Sequence, residues 1–137
     1  MSPQPLISVR DVQASSRWYH NMLGLSCGHG GPEYEQLLAD GRMVMQLHAW
    51  DVHEHPHLGS ADGQGRGNGV ALWFQTEHFD QALARIRAQT GHANHVLEGP
   101  MVNPLARHRE IWLRDPDGYV VVVAGAYGDL VPALPFG

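Results

Sequence analysis

Apolar and polar positions change their spacing along this chain, and each change marks an element. Leu6 to Arg10 reads as a short strand, and Asp11 after it can cap a helix. Ser15, Trp18, Tyr19 and Met22 then recur at helical spacing with Leu23 beside them, and Gly24 is a natural stop. Tyr34 to Ala39 and Arg42 to Trp50 read as strands joined by an Asp40-Gly41 hairpin turn. Residues 51–68 are rich in His, Gly and Asp and read as a loop. Val70 to Phe74 reads as a strand that leads through Thr76 into a second helix. There Phe79, Ala82, Leu83 and Ile86 form the apolar stripe and Gly91 ends it. A shorter segment around Val96 and Leu97 precedes the strongest signal, the run from Glu110 to Val123. Asp115-Pro116-Asp117-Gly118 suits a type I turn between strands, and four consecutive valines imply burial on both faces.

The order repeats. Strand, capped helix, glycine and strand hairpin occur once before residue 50 and once after residue 68, as a repeat of pattern with negligible identity. The expected fold class is therefore α+β, with two βαβββ modules forming a curved, mostly antiparallel sheet around a cavity. Residues 1–137 are read as one domain: module one at about 4–50, a linking loop at 51–67, module two at about 68–125, and a tail from 126. Leu130, Val131, Leu134 and Phe136 in that tail suggest docking onto this chain or a second one.

Composition narrows the partners. The chain has 137 residues, is 43% hydrophobic, and carries a formal charge of −5 with nine basic side chains. That argues against nucleic acid or an anionic membrane as partner. No apolar run is long enough to span a bilayer and the N-terminus has no leader pattern, so a cytoplasmic protein is expected. The single cysteine, Cys27, is expected to be a small buried thiol in a reducing compartment.

Asp11-Val12, Trp18-Tyr19 and Leu23-Gly24-Leu25, followed about ninety residues later by Arg114-Asp115-Pro116-Asp117-Gly118-Tyr119, resemble the vicinal oxygen chelate superfamily. Its members include glyoxalase I, extradiol dioxygenases, fosfomycin resistance proteins and bleomycin resistance proteins. The resemblance covers roughly residues 4 to 125 and speaks for the fold, since fold alone does not fix an activity. It implies a divalent metal held by side chains from four strands, and often a homodimer. The first ligand position falls on Gln4 and the second on Gln46, with His48 two residues on. The third falls on Gly69 and the fourth on Val122, neither of which offers a donor side chain. The standard metal site is therefore expected to be absent, and no cofactor is required, although a divalent metal stays open.

Strand alternation and the resemblance together place Val44, Gln46, His48, Ala71, Trp73, His108, Glu110, Trp112, Val120 and Val122 on the cavity face. Gln46, His48, Trp73, His108, Glu110 and Trp112 are the candidate ligand-binding residues, in a pocket suited to a planar or partly apolar small molecule. Glu110 with His48 is the candidate catalytic pair, and Gln4, His48 and Glu110 are weaker candidates for a rearranged metal site. Each has a plainer reading. Glu110 could pair with Arg107, Arg109 or Arg114 at a strand edge, His108 could be solvated, and His48 could be hydrogen-bonded scaffolding. Three functions follow: a metal-independent small-molecule binder, a Glu/His acid–base enzyme, or a lyase- or dioxygenase-type enzyme with a displaced metal. The stretch His48 to His57 could hold zinc, nickel or copper, but its spacing matches no compact zinc motif, and a polar lid over the cavity is the preferred reading.

Overall fold

Each half of the chain folds as one βαβββ unit. In the first, β1 (Leu6–Val9) leads to α1 (Val12–Leu23) and then to β2 (Ser26–Gly30), β3 (Tyr34–Ala39) and β4 (Arg42–Ala49). In the second, β5 (Ala71–Gln75) leads to α2 (Phe79–Arg87), β6 (Val96–Asn103), β7 (His108–Arg114) and β8 (Val120–Ala124). The structure is a computed structural model that describes residues 2–50 and 70–130. The linking loop with its histidines, Gly69, and the tail beyond Leu130 lie outside the described residues.

The expected sheet is present as two four-stranded sheets, ordered β1-β4-β3-β2 and β5-β8-β7-β6. In each, the first strand pairs in parallel with the last strand of its module and the other pairs are antiparallel. A parallel pair needs a crossover, which each module's helix and hairpin supply. β7 is thus an interior strand, flanked by β8 and β6.

Local chemistry accounts for the helices. The Asp11 carboxylate accepts the Ala14 N–H at 2.9 Å, and Gly24 takes the left-handed conformation (φ 74°) that closes α1. Val12, Ser15, Trp18, Tyr19 and Met22 are buried, as are Phe79, Ala82, Leu83 and Ile86 of α2. One continuous core joins these faces to Leu37, Met45 and Leu47 of the first sheet and to Ile111, Leu113, Val121 and Val123 of the second. Helix α2 ends at Arg87, earlier than expected; Gly91 (φ 72°) instead opens a short 3-10 turn, His92–His95.

Two expectations are corrected. The sequence reading had no strand at Ser26–Gly30, which is β2, an edge strand exposed along its whole length. With neither face covered, its composition carries no apolar alternation to read. Cys27 lies on it and is exposed rather than buried, its Sγ 2.9 Å from Ser16 Oγ.

The turn between β7 and β8 is what fastens one module to the other. Gly118 N–H bonds Asp115 O at 3.0 Å, closing the turn. One Asp115 oxygen accepts the Asp117 and Tyr119 N–H groups, and the other accepts the buried Tyr19 hydroxyl of α1 at 2.8 Å. Asp117 accepts from Arg10 N–H and Ser15 Oγ, while the Tyr119 hydroxyl donates to Ser8 O. Burial pushes the Asp115 carboxyl above its ordinary range despite these donors. Burial and the Asp115 charge push the Tyr19 hydroxyl well above its own.

Candidate functional site

Strand β7 alternates cleanly. Ile111 and Leu113 enter the core, while His108, Glu110 and Trp112 occupy the opposite face. Strand register builds that face from neighbouring side chains. Trp112 and Trp73 lie opposite Val122 on its two sides, Glu110 lies between Met101 and Ala124, and His108 lies opposite Asn103. Gly99 (φ 95°) lets β6 pass close over the Glu110 main chain, where an added Cβ would come within 2.8 Å of Glu110 O.

Glu110 is the polar centre of the face. It is only 3% exposed. Its Oε2 lies 2.7 Å from His108 Nε2, and its Oε1 accepts the Trp112 indole N–H at 3.0 Å. Asn103, opposite His108 on β6, accepts the Leu105 and Ala106 N–H groups at its Oδ1. Burial opposes the charge on Glu110, but the Trp112, His108 and Asn103 side chains around it together hold the carboxyl below its ordinary range. The aromatic rings close around the pair: Trp73 lies 5.9 Å from the His108 ring and meets Trp112 edge-on at 6.2 Å. Trp73 is 47% exposed and is the member of this group that faces outward. It also lines a cleft of about 650 Å³ between the modules, along with Pro5, Leu25, Val44, Thr76 and Arg85.

The plainer readings of Glu110 and His108 are overturned. Glu110 is not an edge residue paired to an arginine: Arg109 bonds Asp80 at 2.7 Å and Arg114 bonds Gly118 O at 3.0 Å. Strand β7 is interior, and Arg109 lies on its face opposite Glu110. His108 is 5% exposed, not solvated. The histidine against Glu110 is therefore His108, two residues away on the same face, rather than His48. The contacts described for His48 are with Ala49 O at 3.0 Å and the ring of Tyr34 at 6.2 Å.

The first module presents its own polar row. The Tyr34 hydroxyl donates to Gln46 Oε1 at 2.7 Å, and Gln46 Nε2 donates to the main-chain oxygen of Gln4 at 2.9 Å. Both ends of the Gln46 amide are thus engaged within the protein. At the other described position implied for a metal, Val122 is fully buried hydrocarbon. These residues do not supply the donor set that the resemblance implies. Among the described residues no group of three or more His, Cys, Asp or Glu side chains is placed to hold a metal ion.

Two members of the site were not singled out by sequence reasoning, Asn103 and Tyr34. Asn103-Pro104 is a turn signal just before β7, and a turn asparagine fixed by its own loop is placed to reach the neighbouring strand. Tyr34 sits opposite His48, and only register reveals that its hydroxyl reaches Gln46.

Comparison with known proteins agrees with this architecture. A protein of unknown function from Agrobacterium tumefaciens str. C58 superposes with a TM-score of 0.69 at 21% identity, covering 90% of this chain and 91% of that one. A lactoylglutathione lyase from Agrobacterium tumefaciens gives 0.63 at 18% identity, covering 90% and 92%. The fosfomycin resistance protein FosX from Listeria monocytogenes, whose structure holds Mn(II) and sulfate, gives 0.63 at 13% identity, covering 92% and 90%. At these identities the likeness is one of fold. No curated protein matches the sequence. The family model for the Glyoxalase/Bleomycin resistance protein/Dioxygenase superfamily matches residues 3–123, nearly the whole of both modules. With the paired βαβββ units and the turn that joins them, this chain belongs to that superfamily.

Proposed function

We propose that this protein binds a small, planar, partly apolar organic molecule against the Trp73–Trp112–His108 face, without the superfamily's divalent metal. The observation that carries the reading is the Glu110 carboxylate, buried among aromatic rings and held by His108 and Trp112. Small-molecule sites combine apolar and aromatic walls with a few fixed polar groups, and this face has that composition. Hydrocarbon at Val122 and an internally bonded Gln46 support the metal-free part of the proposal. A cytoplasmic homodimer is part of the same reading, in keeping with relatives that often pair, and light scattering tests it.

Binding is tested by titrating a panel of aromatic and amphipathic compounds while following tryptophan fluorescence, with Trp112→Ala alongside. The variant is expected to keep its circular dichroism spectrum and to lose binding at least tenfold, since aromatic anchors dominate such sites. Equal binding by both proteins would place the ligand elsewhere. Elemental mass spectrometry on protein purified without chelator tests the metal-free part, and near-stoichiometric metal would overturn it.

A second reading is favoured by the 2.7 Å His108–Glu110 contact. A histidine oriented by a carboxylate is a competent general base, and a lyase or isomerase of this fold could use it. Turnover of a bound compound that Glu110→Gln abolishes would select this reading over simple binding.

A further inference from the structure

His108 makes one hydrogen bond where its ring can make two. Its Nε2 is committed to Glu110 at 2.7 Å, while its Nδ1 is buried with no hydrogen-bond partner among the described residues. The side chain as a whole is 7% exposed. A buried polar atom without a partner is costly and rare in a folded protein unless something else meets it. The proton on the ring can be assigned from the partners. Trp112 Nε1 can only donate, so Glu110 Oε1 accepts from it. The carboxyl is held below its ordinary range, so Oε2 also accepts and the His108 Nε2 carries a proton; in the imidazole form of the ring Nδ1 then carries none. The Nδ1 lone pair then points away from the carboxylate as an unused acceptor. Trp73, half exposed, packs its ring 5.9 Å from the His108 ring and is the side chain between it and the outside.

We propose that His108 Nδ1 is the acceptor reserved for the ligand, so that the site selects planar aromatic molecules carrying an N–H or O–H donor. This rests on the pocket proposed above and adds the chemistry that recognises its occupant. Glu110 acts here as a positioning residue, because it sets which ring nitrogen holds the proton. Glu110→Gln makes that role visible. The glutamine oxygen must face the donor-only Trp112 indole, which turns its NH₂ group toward His108 Nε2. That nitrogen must then accept, and the ring proton moves to Nδ1. One substitution of nearly identical shape thus converts the acceptor into a donor.

The test uses the full chain and two probes of one shape, indole, which presents an N–H, and benzofuran, which presents an oxygen in its place. Nitrogen-15 NMR of the histidine rings reads the tautomer directly, without a ligand. The wild type is expected to show His108 protonated at Nε2 and to bind indole about tenfold tighter than benzofuran, the worth of one hydrogen bond to a buried acceptor. Glu110→Gln is expected to show the proton at Nδ1 and to lose or invert that preference. A wild-type ring protonated at Nδ1 would overturn the proposal. So would equal affinity for the two probes with the Nε2–H tautomer in place, which would leave the pocket itself standing. Binding of neither probe, with Trp112→Ala also without effect on any panel compound, would overturn the proposal together with the pocket.

Discussion

Truncating Glu110 to alanine should destabilise the protein by an amount that depends on pH in a defined direction. The substitution strands two donors in a buried site, Trp112 Nε1 and His108 Nε2. His108, already without a partner at Nδ1, would then have none at either nitrogen. Hydrogen bonds to a charged acceptor contribute about 1.5–3 kcal/mol each, and desolvating the carboxylate offsets several kcal/mol of their sum. The carboxyl sits below its ordinary range, which says that the donors outweigh burial. A net loss of about 3–5 kcal/mol at pH 7 is expected, as for breaking other buried pairs. The sign with pH follows from linkage. A glutamate whose folded pKa is depressed contributes stability above its unfolded value, about 4.3, and loses it as pH falls through the folded value. Urea unfolding followed by circular dichroism at pH 7 and below about pH 4 measures both, with unchanged denaturant slopes as the check on the comparison. A deficit under about 1 kcal/mol at pH 7, or one that grows on acidification, would refute the reasoning.

Asp115 should behave oppositely with pH. Its folded pKa is raised, so its contribution is full below its unfolded value, about 3.9, and is lost as pH rises through the folded value. Asp115→Asn keeps an oxygen for the Asp117 and Tyr119 N–H groups, so melting temperatures below about pH 4 and at about pH 7 should shift in the variant's favour at the higher pH; a constant gap would sink the idea. Arg109 is bonded to the exposed Asp80 and also lies 4.7 Å over the Phe79 ring. Arg109→Ala should therefore lower the melting temperature more than Asp80→Ala, which should leave it within error, and the reverse order would count against the ring contact.

The legible parts of this chain are those whose signal is local. Asp11 and Gly24 mark the ends of α1 because capping and left-handed backbone are properties of single residues. The apolar stripes of both helices, and the turn from Asp115 to Gly118 with its valine strand, could be read because periodicity and turn chemistry act over a few residues. The repeat of these signals was enough to indicate two modules of like pattern. β2 was illegible because an exposed edge strand has no buried face to impress a pattern on it, and Cys27 was misplaced with it. The candidate site shows the same division. Alternation put His108, Glu110 and Trp112 on one face, but choosing among His48, His108 and three arginines as the partner of Glu110 required strand order. Folding gives Arg109 to Asp80 and Arg114 to Gly118 O, and brings His108 to 2.7 Å from Glu110. The contributions of Asn103, Tyr34 and the Tyr19–Asp115 bond depend likewise on residues that only folding brings together, and on the burial that sets their electrostatics. From its sequence alone, then, the chain specified its elements and their faces. Which groups meet across those faces, and in what charge state, was decided by tertiary packing, because pairing and desolvation are long-range.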